Sequence, residues 1–341
     1  MKRPDKKKIE RQSLIDAKTR KSNIRDKNKG EAFHGLRIGE FVSVAADPYR
    51  NDLLKIIDYM KKCHKKKSIC YLDFYKTKTL FPNGTIYLYS HLRKMQSLKI
   101  LGRPSEDIIV RAMLTKLGIS SRLNMPCCRK NHSRVERWHI LHGSKTNFHE
   151  EYIEIENSIK KAVGSENSEL FFVLNEAISE AVTNVVNHAY DQNSVYKDWV
   201  LFLSFDGDKF HLVISDLGKS IPVTAPVKLR TKIAHLLTSL QKPSDSDLIE
   251  IATTWRRSAT HQPYRGKGFD NIIEVCREEP EASLSVMSRA GSWRTGKNTS
   301  SDGKKHSFAK PISGTIVSWT IPLKKLKMDE QLSSRVEEPA T

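Results

Sequence analysis

Long apolar runs are missing from this 341-residue chain: no stretch approaches a membrane span, and no secretory signal pattern opens it. A soluble, cytoplasmic protein with no membrane partner is therefore expected. Cysteine is scarce. Cys63, Cys70, Cys127, Cys128 and Cys276 form an odd set without disulfide-framework spacing, so reduced thiols are expected. Cys127-Cys128 near His132, and Cys63-His64 near Cys70, also fit no usual zinc spacing and read as structural thiols. Hydrophobic residues reach only 38%, so exposed polar segments should accompany whatever cores the chain builds. Internal repeats are absent, and no helix-turn-helix or zinc module offers sequence-specific DNA reading.

Acidic residues are outnumbered, 39 against 58 Lys and Arg, for a net charge of +19. Residues 1–30 hold twelve Lys and Arg against four Asp and Glu, a net +8 with no aromatics. That composition predicts a disordered basic tail over 1–35. Such a tail is a solvated arm, or it neutralises phosphates on nucleic acid in a salt-dependent way.

The length accommodates two domains. Over 36–122 the periodicity predicts a helix at Asp52–Lys62, with Leu53, Leu54, Ile57 and Met60 inward. A buried-type strand follows at Ser68–Phe74, then a loop over Tyr75–Pro82 and a helix at Thr85–Met95. A short strand at Leu98–Leu101 and a helix at Glu106–Leu117, closed by Gly118, complete the unit. Strand and helix alternate, which implies a mainly parallel sheet with crossover helices. Residues 123–147, rich in His, Arg and Lys, read as a basic linker, with Trp138 and Ile140 marking a strand within it.

The second half is organised around a helix in Leu170–Tyr190. Leu174, Ile178, Ala181 and Val185 form its buried stripe, while Glu176, Glu180, Asn184 and His188 step by four along another face. A carboxylate one turn before a carboxamide suits a hydrated Mg²⁺, which takes oxygen ligands and keeps several waters. Trp199–Phe205 and Lys209–Ser215, joined through Asp206-Gly-Asp208, read as a β-hairpin. The second strand runs into Asp216-Leu-Gly218-Lys-Ser220. Helices are expected at Leu229–Leu240, Asp247–Arg257 and Phe269–Cys276, the last preceded by Tyr264-Arg-Gly-Lys-Gly268. Arg294–Pro311 reads as a long loop, and Ser313-Gly-Thr315 opens a final strand to Pro322.

In this order the motifs resemble the ATP-binding module of the GHKL superfamily, which includes gyrase-type topoisomerases, chaperone and mismatch-repair ATPases, histidine kinases and anti-sigma-factor serine kinases. Glu180…Asn184 with His188 resembles the N box, Asp216-x-Gly218 the first glycine box, Gly266-x-Gly268 the second, and Gly314-Thr315 the closing pair. The phrases Ser179–Tyr190 and Arg265-Gly-Lys-Gly268 look most like the anti-sigma kinases. The resemblance implies a Bergerat-fold α/β sandwich over 148–325, with helices on one face of a mixed, largely antiparallel sheet, followed by a flexible tail over 326–341.

It also implies a Mg²⁺-ATP site. Asp216 would accept a hydrogen bond from the adenine amino group, Gly218 would let backbone approach the base, and Thr315 would bridge to both directly or through water. Asn184 would hold Mg²⁺, and Glu180 would orient or deprotonate the attacking nucleophile. Asn187 and His188 join the nucleotide-binding set, although His188 is equally a helix-packing residue. Gly266 and Gly268 would present helix N–H groups to phosphates, with Arg265 and Lys267 adding charge. Two positions depart from the family pattern: Ser220 and Tyr264 stand where it has glycine.

Residues 36–122, with Leu72-Asp73-Phe74, resemble a divergent STAS domain, in which a Ser or Thr at a helix start receives phosphate. Thr77, Thr79 and Thr85 occupy that region without the usual Asp-Ser context. Three functions stay open. The chain is a switch that phosphorylates a protein Ser or Thr or hydrolyses ATP, a non-catalytic ATP sensor whose lid spans Val223–Pro263, or a nucleic-acid-associated ATPase. A protein partner (regulator or phospho-acceptor) is implied by the first two, and a homodimer is compatible with all.

Overall fold

The computed structural model describes residues 35–128, 132–147, 149–164, 167–228, 243–254, 268–297, 299 and 303–323. The N-terminal unit runs β1 (Leu36–Arg37), β2 (Phe41–Val42), α1 (Asp47–Lys66), β3 (Cys70–Asp73), β4 (Thr79–Leu80), α2 (Pro82–Lys94), β5 (Ile100–Arg103), α3 (Ile108–Lys116) and α4 (Ile119–Arg122). β1, β3 and β5 pair in parallel, and β2 pairs in parallel with β4. The strand–helix alternation foretold that parallel pairing. Helix α2 starts earlier than expected, at Pro82, whose fixed φ suits a first helical turn. Gly118 (φ +70°) breaks α3 from α4, the left-handed turn a glycine tolerates.

The second unit runs α5 (Ser133–Glu136), β6 (His139–Gly143), α6 (His149–Val163), α7 (Ser168–Asn184), a π-helical turn (Val185–Ala189), β7 (Trp199–Asp206), β8 (Lys209–Asp216), α8 (Ile221–Lys228), α9 (Asp245–Thr254), α10 (Gly268–Glu278), β9 (Ser283–Ser288), β10 (Gly291–Gly296), β11 (Lys304–Ser307) and β12 (Thr315–Pro322). Its seven strands form one sheet in the order β11-β10-β9-β12-β8-β7-β6, with every neighbouring pair antiparallel. The architecture is mixed α/β around a large antiparallel sheet.

Two sequence expectations change here. Within the stretch 123–147 the strand expected near Trp138 and Ile140 forms as β6, and it closes the sheet against β7, from His139↔Leu203 to Gly143↔Trp199, so this part belongs to the second unit rather than to a linker. Arg294–Pro311 is not one long loop: β10 extends through Arg294, and β11 returns as its antiparallel partner. Lys304-Lys-His-Ser gave no strand signal because all four residues are exposed on a sheet edge, where alternation is not required.

Both faces of the sheet are covered. On one, Leu201, Leu203, Leu212, Ile214, Val286, Trp319 and Ile321 pack with Ile159, Leu174, Ile178, Ile272 and Val275 from α6, α7 and α10. On the other, Val200, Phe202, Val213, Met287 and Ile316 join the same core as Ile57, Tyr87, Leu88 and Leu92 of the N-terminal unit. Double coverage explains why β7 reads as the unbroken apolar run Trp-Val-Leu-Phe-Leu rather than as an alternating one. Trp319 Nε1 donates to Ile272 O at 2.9 Å, which fixes α10 along the sheet. Among the described residues no helix is long and apolar enough to cross a membrane.

Candidate functional site

Helix α7 buries Leu174, Ile178 and Ala181 as its stripe predicts, with Val185 following at the π turn. This leaves Glu180 and Asn184 half-buried on the adjacent face and Glu176 exposed. Asn184 Nδ2 donates to Glu180 Oε1 at 3.2 Å. Burial holds the Glu180 carboxyl above the ordinary carboxylate range, with the Asn184 bond pulling it down. The Asn184 carbonyl oxygen has no protein hydrogen bond among the described residues, which leaves it free as an oxygen ligand for a divalent cation. No cluster of three His, Cys, Asp or Glu side chains forms a cation cage there or elsewhere among the described residues. A metal at this point would take the remainder of its shell from water or a bound anion.

His188 lies on an irregular turn. The α-helical hydrogen-bond pattern of α7 ends at Asn184, and the following turn, Val185–Ala189, is π-helical. His188 and Asn187 are exposed on this turn, and Tyr190 leaves it in extended conformation. The turn's last residue then meets the segment after Asp216: the Lys219 N–H donates to Ala189 O. A Cβ on Gly218 would lie 2.1 Å from that same oxygen, so only glycine allows this approach.

Asp216 ends β8 with its side chain 3% exposed. Gly218 N–H donates to its Oδ1 at 2.7 Å, and the Thr315 N–H also bonds the carboxyl. Burial outweighs both and pushes the acid up to about 7. Gly314 (φ +70°) lies on the other side, where a Cβ would come within 2.1 Å of Asp216 O. Glycines thus pack backbone against Asp216 and the adjoining turn from two directions.

No family model and no curated protein matches the chain. The site is therefore argued from its geometry.

Thr315 meets Asp216 through its backbone. Its backbone N–H serves Asp216, while its hydroxyl lies 3.0 Å from Ser288 Oγ. Ser288 is fully buried and is the residue that sequence reasoning missed. Its hydroxyl donates to Gly314 O at 2.9 Å and accepts from Ile221 N at 3.1 Å. One hydroxyl supplies one donor and two acceptor positions, so the Thr315 hydroxyl donates to Ser288. Ser288 thereby ties the segment after Asp216 to Gly314-Thr315. Its only trace in sequence is a small polar residue at a strand end. Tyr190 is a second omission: its hydroxyl accepts from Leu217 N at 2.9 Å and donates to Asp198 O at 2.8 Å.

Ser220 is buried, and its carbonyl accepts from Val223 and Thr224 N–H groups at the start of α8. Gly268 opens α10, which packs beside the Glu180 helix α7. Arg265, Gly266, Lys267 and Tyr264 lie outside the described residues, as do the expected helix at Leu229–Leu240 and much of the lid expected over Val223–Pro263. In the N-terminal unit, Thr77 and Thr85 are buried with their hydroxyls donating to Gly39 O and Phe81 O. Neither is presented as a phosphate acceptor.

Proposed function

We propose that the chain binds Mg²⁺-ATP in the GHKL manner and acts as a signalling switch on a protein partner. The observation that carries this reading is the buried Asp216 carboxyl, held by two backbone N–H groups between Gly218 and Gly314. A carboxylate there can accept from the exocyclic amino group of adenine, which guanine presents differently, and the two glycines let the Ala189 and Asp216 backbone close tightly around it. The half-buried Glu180–Asn184 pair supports the other end of the site. Asn184 would hold the cation through its carbonyl oxygen, and Glu180, its basicity raised by burial, would orient or accept a proton from the attacking hydroxyl. The nucleotide supplies a transferable γ-phosphoryl group, and the chain's residues select, position and deprotonate. The resemblance to anti-sigma kinases favours a protein hydroxyl over water as acceptor.

Calorimetric titration of the full chain with ATP and Mg²⁺, and with GTP as control, tests the reading. Micromolar to submillimolar ATP binding that is lost in Asp216→Asn supports it. Absence of heat with ATP, or equal binding of GTP, refutes it. With γ-labelled ATP, labelled protein or free phosphate then separates a kinase or ATPase from a non-catalytic sensor.

A further inference from the structure

Helix α1 of the N-terminal unit sends a cation into the second unit. Arg50 is 0% exposed, and no carboxylate lies within ion-pair distance of it among the described residues. Its guanidinium donates to Val44 O at 2.8 Å, to Lys310 O at 2.8 Å and to Arg289 O, and lies 4.0 Å above the Phe308 ring. Burial lowers its pKa to about 10, so it stays charged at neutral pH. A buried cation is costly, and apolar residues of similar volume commonly serve adhesion as well or better. What this one adds is direction: it fixes the Lys310 carbonyl and the Phe308 ring of the segment 308–313, which leads into Gly314-Thr315.

Two neighbours hold the same segment. Asp47 Oδ1 accepts from Ala309 N at 3.0 Å, and the Tyr87 hydroxyl accepts from Ser313 N at 3.1 Å, one residue before Gly314. Helix α2, which carries Tyr87, also reaches the opposite flank. Arg93 bonds Asp198 Oδ2 at 2.7 and 3.3 Å, and the Tyr196 hydroxyl donates to Ser90 O at 3.3 Å. Asp198 O in turn accepts from Tyr190, which holds Leu217 beside Asp216. One helix of the N-terminal unit therefore grips both chain segments that bracket Asp216.

We propose that Tyr87, Arg50 and Arg93 are positioning residues of the nucleotide site, through which the N-terminal unit sets how strictly the pocket requires adenine. This rests on the ATP-binding reading. The residues touch no nucleotide: they hold the Gly314-Thr315 turn and the Tyr190–Asp198 segment, and these hold the Asp216 carboxylate at the base. A partner that moves α2 would then alter nucleotide selection without entering the pocket.

The test compares ATP with ITP, whose base lacks the amino donor, on the full chain. Wild type, Tyr87→Phe and Arg93→Gln are titrated in the presence of Mg²⁺, with thermal melts as a folding control. Arg50 is left intact because removing a buried cation endangers folding. The expected result is a wild-type preference for ATP that falls about fivefold in each variant, the effect of about one hydrogen bond, with ITP affinity unchanged. A purely structural role would weaken both nucleotides equally or neither, leaving the ATP:ITP ratio at its wild-type value in both folded variants and overturning the proposal. Wild type that binds neither nucleotide overturns the ATP-binding reading itself, and this inference with it.

Discussion

Asp216→Asn should stabilise the protein while abolishing nucleotide binding. The carboxyl's folded pKa of about 7 lies above the ordinary 3.8, so the folded chain holds this proton more tightly than the unfolded chain. Stability therefore falls as pH rises from 3.8 through about 7 and is level above that. At about 1.4 kcal/mol per pH unit, the folded protein carries an ionisation penalty of about 4 kcal/mol at pH 8. Asparagine has no proton to lose. Its neutral carbonyl oxygen can keep the Gly218 bond but accepts more weakly than a carboxylate, which gives back about 1 kcal/mol. A net gain of roughly 2 to 3 kcal/mol at pH 8 is expected, shrinking to nothing or reversing near pH 4. Urea unfolding of both proteins at pH 4, 5, 6, 7 and 8 measures it. A difference between wild type and variant that stays constant with pH would refute the burial argument. It would mean that Asp216 is ionised in the folded state at little cost, through solvent access or a cation.

Glu180→Gln should leave ATP affinity within about threefold while lowering phosphoryl transfer by about 10²–10⁴, measured with γ-labelled ATP; an unchanged yield removes Glu180 from proton transfer. Gly218→Ala should cost about 1–3 kcal/mol in denaturant melts, because the added methyl meets the rigid Ala189 carbonyl, and should weaken ATP binding. ATP affinity should rise about tenfold per pH unit between pH 5 and about 7 and then level off, since binding requires the Asp216 carboxylate; calorimetry in buffers of different ionisation heat should show close to one proton released at pH 6.

Much of the scaffold was legible because periodicity survives burial. The stripe Leu174, Ile178, Ala181, Val185 and the hairpin Trp199–Asp216 appear where their patterns put them. What failed was local or distant. The turn that carries Asn187 and His188 is π-helical, and nothing in Val-Val-Asn-His-Ala distinguishes an i→i+5 bond from an i→i+4 bond. The strand β11 lacks any apolar residue to alternate. Ser288 acts across 27 positions of sequence, a contact no window contains. Arg50 was within reach: with Leu53, Leu54 and Ile57 it completes the spacing i, i+3, i+4, i+7, so the inward stripe of α1 begins with a charge. A cation on a buried stripe calls for acceptors from elsewhere in the fold.

That cation also bears on how the two halves relate. A helix layer on one face would have satisfied an alternating sheet, but Val200, Phe202, Val213 and Ile316 need a second cover, and the N-terminal unit supplies it. Removing that unit would expose a contiguous apolar face, and it would strip Phe308, Lys310 and Ser313 of the groups that order them. The turn that ends in Gly314-Thr315 has its partners on both units: Ser288 from the sheet, and Tyr87 one residue earlier from α2. Asp216 is thus braced by residues from both ends of the chain. Its ionisation cost is borne by the packing of the whole assembly, which is why a strained acid can persist there.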